Sequence, residues 1–294
     1  MPCISIILTT YNHEKYIDKA IDSILNQTFT DYEILIGDDS HDDKTWNIIK
    51  RYCKSNPDKI QARHHEENKW IIRNMEFLIK NTKWNYIAVL EWDDYRDNEY
   101  LSKKMEIFSK KHVALVYNDL NFIDWKWKII QKGVLKNLRK IKNLYKEEKF
   151  NLSTVLLSHT FPYHSRSTIM FKKEVLKKID LKIPWLSPYS IISDYNFFLM
   201  VWSNYPIYGT ENELTFYRIH ENNTSKNSNL DLISELYQLA KFYKNKSLIS
   251  EETFKNIATR RLLLLIIWYI RIMTNISKYY TLKNFFSLLF QKFK

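Results

Sequence analysis

The chain contains very little glycine and cysteine for its length. Only three glycines and two cysteines occur among 294 residues. Cys3 and Cys53 form no CxxC pair and lack the spacing of a zinc site, which favours a reducing compartment. With so few glycines, the chain has few loop positions where the backbone can approach a ligand without a side chain in between.

Long apolar runs and a targeting segment are also missing. The longest apolar run, residues 262–270, is far shorter than the roughly 20 residues that a membrane-spanning helix needs. The amino terminus enters an apolar strand at once, with no basic region and no cleavage site. We therefore expect neither a signal peptide nor a spanning helix, and a cytoplasmic location.

What the chain has in excess is positive charge. Hydrophobic residues make up 45% and charged residues 27%, which is ordinary globular usage and excludes a disordered chain. The length allows one large domain with an appendage. The net charge of +12 indicates an acidic partner such as nucleotide phosphate, anionic lipid or nucleic acid. A lysine-rich coding bias is the alternative.

The most informative segment is an apolar run that ends in carboxylates. Residues 86–90 are followed directly by Glu91-Trp92-Asp93-Asp94. Carboxylates this close repel one another, and a hard divalent cation such as Mg²⁺ or Mn²⁺ is the simplest positive partner. An exposed acidic turn is the alternative, but the position after a buried strand favours a metal that meets a phosphate-bearing ligand.

Strands that alternate with helices over the first ninety residues predict an α/β fold with a mainly parallel sheet. We expect Asn12 to cap a first helix whose apolar positions run from Ile17 to Leu25. Segment 122–131 alternates like an exposed antiparallel strand, and the chain is expected to be helical from 229 onward. The remaining predicted strands are 4–9, 33–36, 60–64, 86–90, 113–118, 167–171 and 214–218, and the remaining helices 45–54, 68–80, 99–110 and 194–204.

Three polar segments follow the first, second and fourth predicted strands, where open α/β sheets bind ligands. They are Thr9-Thr10-Tyr11-Asn12, Asp38-Asp39 and the acidic cluster. With residues 5–12, 24–28 and 32–39, they resemble family 2 of the glycosyltransferases, which has the GT-A fold, a Rossmann-like sheet flanked by helices. Glu91-Trp92-Asp93 resembles the DxD motif of that family. Residues 1–100 carry the resemblance strongly and residues 160–225 more weakly.

The resemblance implies roles for individual residues. Asp93 and His220 would ligate Mn²⁺ or Mg²⁺, and Asp194 would be the general base. The residues expected beside the nucleotide-sugar donor are Thr9, Tyr11, Asp38, Asp39, Asn68, Arg73, Glu91 and Trp92. Arg166, with His159 and His164, precedes a strand in the expected acceptor half, where acceptor contact and structural roles both stay open.

Each role has a structural alternative. Asp38-Asp39 and Asp194 would then cap helices, Tyr11 would be a rim aromatic, and His220 an ordinary surface histidine. Trp92 stands where the family usually has a small residue, and it would narrow the donor pocket or stack on the sugar. The sequence alone leaves these alternatives open.

The resemblance implies a metal-dependent, inverting glycosyltransferase. Residues 1–96 would bind a nucleoside-diphosphate sugar, a UDP-sugar by preference, and residues 97–225 would bind a surface-glycan or lipid-linked acceptor. Residues 226–294 would form a helical appendage that packs on protein, in a homo-oligomer for example, or lies on an anionic membrane. The rivals are an inactive nucleotide-sugar-binding protein and a nucleic-acid-binding protein. The scattered basic residues argue against nucleic acid.

Overall fold

The computed structural model describes residues 4–137, 165–177, 193–220 and 229–259. Residues 229–259 belong to one compact unit, and the other described residues belong to a second. The basic stretch after residue 137, His159, His164 and residues 260–294 lie outside the described residues. No helix in these ranges is both long enough and apolar enough to cross a bilayer.

The elements follow the predicted α/β order closely. The strands are β1 (Ile4–Thr10), β2 (Tyr32–Asp38), β3 (Ile60–His64), β4 (Tyr86–Glu91), β5 (Tyr95–Arg96), β6 (Leu115–Ile123), β7 (Ile129–Gln131), β8 (Ile169–Lys172) and β9 (Ile207–Arg218). The helices are α1 (Ile17–Leu25), α2 (Asp43–Ser55), α3 (Trp70–Asn81), α4 (Tyr100–Lys110), α5 (Val134–Asn137), α6 (Ser193–Asn204), α7 (Asn229–Asn245) and α8 (residues 251–259). The predicted helical appendage is thus confirmed for its described part.

The described strands form one mixed sheet in the order β3-β2-β1-β4-β8-β6-β9-β5, with β7 paired to β6. The first four strands are parallel, as predicted. Beyond them, β8 runs antiparallel to both β4 and β6, while β6 and β9 are parallel. The sheet therefore has a regular parallel half that carries the three polar segments and a mixed half that follows.

The interior of the parallel half explains why its strands read as apolar runs. Every residue of β1 is buried, because the strand has neighbours on both sides and is covered on both faces. Helix α1 packs its apolar stripe against this sheet through Ile17, Ala20, Ile21 and Ile24, at the predicted positions. At about 25 cal/mol per Å² of buried apolar surface, this packing supplies the main stabilisation of the parallel half.

The prediction that Asn12 caps the first helix is wrong. Helix α1 begins only at Ile17, and Asn12 takes a left-handed conformation with φ of 56°. The Asn12 N–H donates to Ser40 Oγ at 2.8 Å, and its side-chain oxygen accepts from the His41 N–H at 3.3 Å. Asn12 therefore joins the loops after β1 and β2, in a conformation that asparagine tolerates better than most residues.

Segment 122–131 is a hairpin and not the single strand that its alternation predicted. Strand β6 ends at Ile123, the chain turns over residues 124–128, and β7 returns antiparallel to β6. The Asp124 carboxylate accepts backbone N–H groups of the turn and so stabilises the reversal. The short strand β5 was not predicted, because two residues give no periodic signal.

Candidate functional site

The three polar segments lie together at one edge of the sheet. Thr9 of β1 is opposite Gly37 of β2 on one side and Glu91 of β4 on the other. Thr10 is opposite Asp38. The carboxyl ends of three neighbouring parallel strands thus place the threonines, the aspartate pair and the acidic turn side by side.

Asp38 is fully buried and serves the loops around it. Its carboxylate accepts the backbone N–H of Ser40 at 3.1 Å and the Ser40 hydroxyl, and Oδ2 lies 3.0 Å from His64 Nδ1. The alternative that the aspartate pair caps the next helix is wrong, since Asp42 caps α2 by accepting from the Lys44 N–H. Asp38 therefore stabilises the loop after β2 through Ser40 and links it to His64 at the end of β3.

Asp39 lies one position nearer to the edge. Its Oδ1 accepts the Lys69 N–H at 3.2 Å, and Asn74 also donates to the carboxylate. Burial raises the pKa of Asp39, while the hydrogen bond from Lys69 opposes that shift. A buried acceptor at a sheet edge is suited to a ligand that presents N–H or O–H donors.

The segment before α3 frames this aspartate from the other side. Asn68 Oδ1 accepts the N–H of Trp70 at 2.8 Å, and Trp70 is left-handed with φ of 63°. Arg73 is exposed on α3, whereas its neighbour Asn74 is fully buried. Asn74 was noted beside Arg73 in the sequence, but its burial could not be read there.

The acidic turn is buried, so the exposed-turn alternative is wrong. Asp93 is 8% exposed and Asp94 is 1% exposed. Asp94 accepts the Arg218 N–H at Oδ1 and the Ser165 hydroxyl at Oδ2, at 3.1 and 3.2 Å. Burial and the charge of Asp93 raise the pKa of Asp94 well above its ordinary value. Asp94 is therefore a supporting group that the protein itself holds.

Glu91 is paired with an arginine that the sequence left unassigned. Arg166 Nε lies 2.5 Å from Glu91 Oε1, and both side chains are largely buried. Burial raises the pKa of Glu91, the Arg166 charge lowers it, and the charges of Asp93 and Asp194 raise it. Asp194 therefore lies within electrostatic reach of the acidic turn, from a position in the first turn of α6.

Arg218 connects the acidic turn to the β6–β7 hairpin. Its Nε donates to the Asp93 carbonyl and its guanidinium also donates to the Asp124 carbonyl, both at 3.0 Å. The guanidinium lies over the Trp127 ring at 3.5 Å and over the Tyr16 ring at 4.7 Å. The role of Arg218 could not be predicted from the sequence around it, because its partners lie far away along the chain.

Asp93 and His220 form the pair that could hold a metal. Asp93 Oδ2 lies 2.9 Å from His220 Nε2, and each side chain is 10% exposed. A carboxylate oxygen and an imidazole nitrogen suit Mn²⁺, and such ions commonly take their other ligands from substrate phosphate and water. Within the described ranges no group of three or more His, Cys, Asp or Glu side chains could hold a metal.

Trp92 fills the space between this pair and β1. Its ring stacks on His13 with centroids 3.2 Å apart and planes within 4°. His13 Nδ1 accepts the Tyr11 N–H at 2.9 Å, and burial with the nearby His220 charge lowers the pKa of His13 to about 3. His13 is therefore neutral at pH 7, and one face of Trp92 is covered by the protein.

Comparison with known proteins agrees with this edge-of-sheet site. The sequence model of glycosyl transferase family 2 matches residues 5–180, and the chain belongs to that family. An uncharacterized glycosyltransferase of Haemophilus influenzae is 26% identical over 189 residues, covering 62% of this chain and 75% of the relative. Chondroitin synthase of Escherichia coli is 30% identical over 135 residues, covering 45% of this chain and 19% of that enzyme.

The fold is also found among solved structures. Residues 1–349 of S. aureus TarS, in complex with UDP-GlcNAc, superpose with a TM-score of 0.62 at 18% identity. The match covers 89% of this chain and 72% of that one, and 43% of the longer TarS chain. This likeness confirms the predicted GT-A fold. The chain therefore spans less than half of the longer TarS chain and less than a fifth of chondroitin synthase.

Proposed function

We propose that the protein is a metal-dependent, inverting glycosyltransferase that uses a UDP-sugar. The observation that carries the proposal is the buried Asp93–His220 pair at the end of β4, 2.9 Å apart, with Glu91 beside it. Titratable groups brought together at the carboxyl ends of parallel strands are typical of a ligand site. The UDP-GlcNAc complex of the TarS relative supports this choice of donor.

The neighbouring residues give the donor a defined place. Asp39 offers a buried acceptor for the N–H or O–H groups of a nucleoside, and Thr9 and Tyr11 line the adjacent end of β1. Residues 1–96 are thus the proposed donor half and residues 97–225 the acceptor half. Mn²⁺ or Mg²⁺, when bound between Asp93 and His220, would neutralise charge on the departing diphosphate.

Asp194 is the proposed general base. It would accept the proton of the acceptor hydroxyl as that oxygen attacks the anomeric carbon, and a single displacement of this kind inverts the configuration. The charge of Asp194 raises the pKa of Glu91, which places this carboxylate close to the acidic turn where the donor is proposed to bind. The name of the chondroitin synthase relative supports a glycan as the acceptor. The proposed acceptor is a surface polysaccharide or a lipid-linked chain on the cytoplasmic side of the membrane.

A transfer assay and a thermal-shift series test the proposal together. UDP and UDP-sugars should raise the unfolding temperature more with Mn²⁺ than without it, since a ligand present at about 100 times its Kd contributes about 2.7 kcal/mol. Asp93→Asn should abolish the Mn²⁺-dependent part and the transfer of labelled sugar. Asp58→Asn, an exposed aspartate elsewhere, is the matched control.

Two results would contradict the proposal. Metal-dependent turnover by Asp93→Asn would remove this carboxylate from the metal site. Donor binding without transfer or hydrolysis, across all UDP-sugars and acceptors, would favour a nucleotide-sugar-binding protein that has lost catalysis.

A further inference from the structure

The tip of the β6–β7 hairpin, residues 124–130, carries a concentration of exposed apolar side chains. Trp125 is 66% exposed, Ile130 is 55% exposed and Ile129 is 37% exposed. Of the seven large hydrophobic side chains found exposed in the described residues, three fall within these six consecutive positions, 125–130. Singly scattered exposed apolar residues need no explanation, but three within one short hairpin segment indicate a segment that contacts something.

The hairpin tip carries a net positive charge, with two lysines and one aspartate. Lys126 and Lys128 are both exposed, and Lys126 Nζ lies 4.7 Å from the centre of the Trp125 ring. Asp124 is the only acidic residue of the tip, and its carboxylate accepts the N–H groups of Lys126 and Lys128 at 2.8 and 2.9 Å. The negative charge is therefore directed at the turn's own backbone, while both lysine side chains are exposed to solvent.

The hairpin tip stands on a fixed base. The Ile219 N–H donates to the Ile123 carbonyl at 2.8 Å, and Arg218 donates to the Asp124 carbonyl. Trp127, between the two lysines, is left-handed with φ of 68° and packs under the Arg218 guanidinium. The exposed side chains are thus presented by an anchored support, which lowers the ordering cost of binding a surface.

We propose that the hairpin tip docks on a lipid bilayer with anionic headgroups. Trp125, Ile129 and Ile130 would enter the interfacial region, where tryptophan is favoured, and Lys126 and Lys128 would meet the headgroups. The long stems of the lysines can lie along apolar surface while their charges reach the headgroups. None of the residues at this tip is among those proposed to bind the donor.

The composition of the tip argues for lipid and against a sugar chain. Sugars are bound by aromatic faces together with carboxylates and amides that take the hydroxyl hydrogen bonds. Between residues 124 and 130 the only such group is the Asp124 carboxylate, which the backbone already occupies. Two exposed isoleucines offer nothing to a hydroxyl, but they gain free energy in an apolar interface.

Vesicle co-sedimentation with the full chain tests the proposal without donor or acceptor. The vesicles are phosphatidylcholine alone, or equal parts of phosphatidylcholine and phosphatidylglycerol. Trp125→Ala with Ile130→Ser should weaken binding to the anionic vesicles by about tenfold or more. The matched control is Trp84→Ala, at a side chain 38% exposed in the segment between α3 and β4.

A second variant isolates the charge. Lys126→Gln with Lys128→Gln should lower binding to anionic vesicles about tenfold or more, and should reduce its dependence on salt. Both lysines are exposed, so this variant should keep the wild-type melting temperature and serve as a test even if the apolar variant unfolds.

The proposal is overturned if the wild-type chain ignores anionic vesicles, or if hairpin and control variants bind them equally. It is also overturned if the hairpin variants bind vesicles normally but raise the KM for a soluble glycan acceptor, since the surface would then belong to the acceptor. Because vesicle binding needs no turnover, the first two of these results are independent of whether the proposed transfer reaction is correct.

Discussion

The four carboxylates of the candidate site have different partners. Glu91 forms an ion pair with Arg166, and Asp94 accepts hydrogen bonds from Arg218 and Ser165, so both carboxylates have partners within the protein. Asp93 faces His220. Asp194 approaches this group from a separate helix, and its charge raises the pKa of Glu91. The acids of the site therefore have distinct environments, which suits distinct tasks.

Asp194→Asn tests its proposed task as the base. The substitution keeps the size of the side chain but removes the proton acceptor, so kcat should fall by about a hundredfold to ten-thousandfold while the KM for the donor changes little. Steady-state kinetics and donor titration of the same preparation provide the comparison.

Asp43→Asn is the control for the loss of a negative charge in the first turn of a helix, which Asp194→Asn also causes. Asp43 is an exposed carboxylate in the first turn of α2, so its substitution reports the loss of a favourable charge at a helix N-terminus without any catalytic role. Should the donor affinity of Asp194→Asn collapse together with kcat, Asp194 would belong to the nucleotide pocket.

At the residue scale, candidate site residues at strand ends can be predicted from the sequence. Residues whose role comes from contacts with distant parts of the chain cannot. Asp39 and Asp93 could be found because carboxylates directly after apolar strands break a simple pattern. The pairing of Arg166 with Glu91, and the roles of Arg218 and His13, could not be found in this way, since their partners lie far along the chain. Burial and pairing of this kind depend on the complete sheet order.

At the scale of elements, the contact between β2 and α3 is unusually close. A Cβ on Gly37 would lie 1.8 Å from Asn74 Oδ1, and Asn74 Nδ2 donates to the Gly37 carbonyl at 2.9 Å. His65 Nε2 is 3.3 Å from the same Asn74 oxygen. One of the three glycines therefore sits where the helix side chain reaches the strand backbone, directly before the aspartate pair.

Gly37→Ala should destabilise the protein by about 1–3 kcal/mol, because the added methyl group has no space beside Asn74. The free energy of unfolding in urea measures the change. Combining it with Asn74→Ala should cost less than the sum of the two single changes, since the truncated side chain makes room for the methyl group. Strict additivity would show that the two residues do not compete for the same volume.

The elements themselves were largely predictable where periodicity was strong. Strands β1 to β4 and helices α1 to α3 lie near the expected positions, because buried parallel strands and amphipathic helices impose clear patterns. The predicted start of α1 was wrong because a polar residue before an apolar run can also join two loops, as Asn12 does through its hydrogen bond to Ser40. Hairpin 122–131 was misjudged because alternation does not reveal a turn inside it.

At the scale of the whole molecule, the main feature is the high net positive charge. The chain carries +12 at pH 7 with a sequence pI near 9.3. Like charges on a compact protein repel one another, which destabilises the folded state and keeps the protein dispersed. Exposed pairs such as Lys110 with Glu106 offset little of this, since surface ion pairs contribute about 0–1 kcal/mol.

Salt should therefore stabilise the protein at pH 7. Raising the ionic strength to about 0.15 M shortens the screening length to about 8 Å and weakens the self-repulsion, so the unfolding temperature should rise. The same addition at pH 9.3, near zero net charge, is the control and should have a smaller effect. An equal response at both pH values would show that net charge is not the cause.

Arg218 has a consequence for the movement of the two regions that it joins. One buried guanidinium holds the carbonyl of Asp93 and the carbonyl of Asp124. Both attachments are main-chain atoms, so neither can be released by a rotamer change of its partner. Arg218 thus couples the hairpin turn to the acidic turn, in addition to the backbone pairing of β6 with β9.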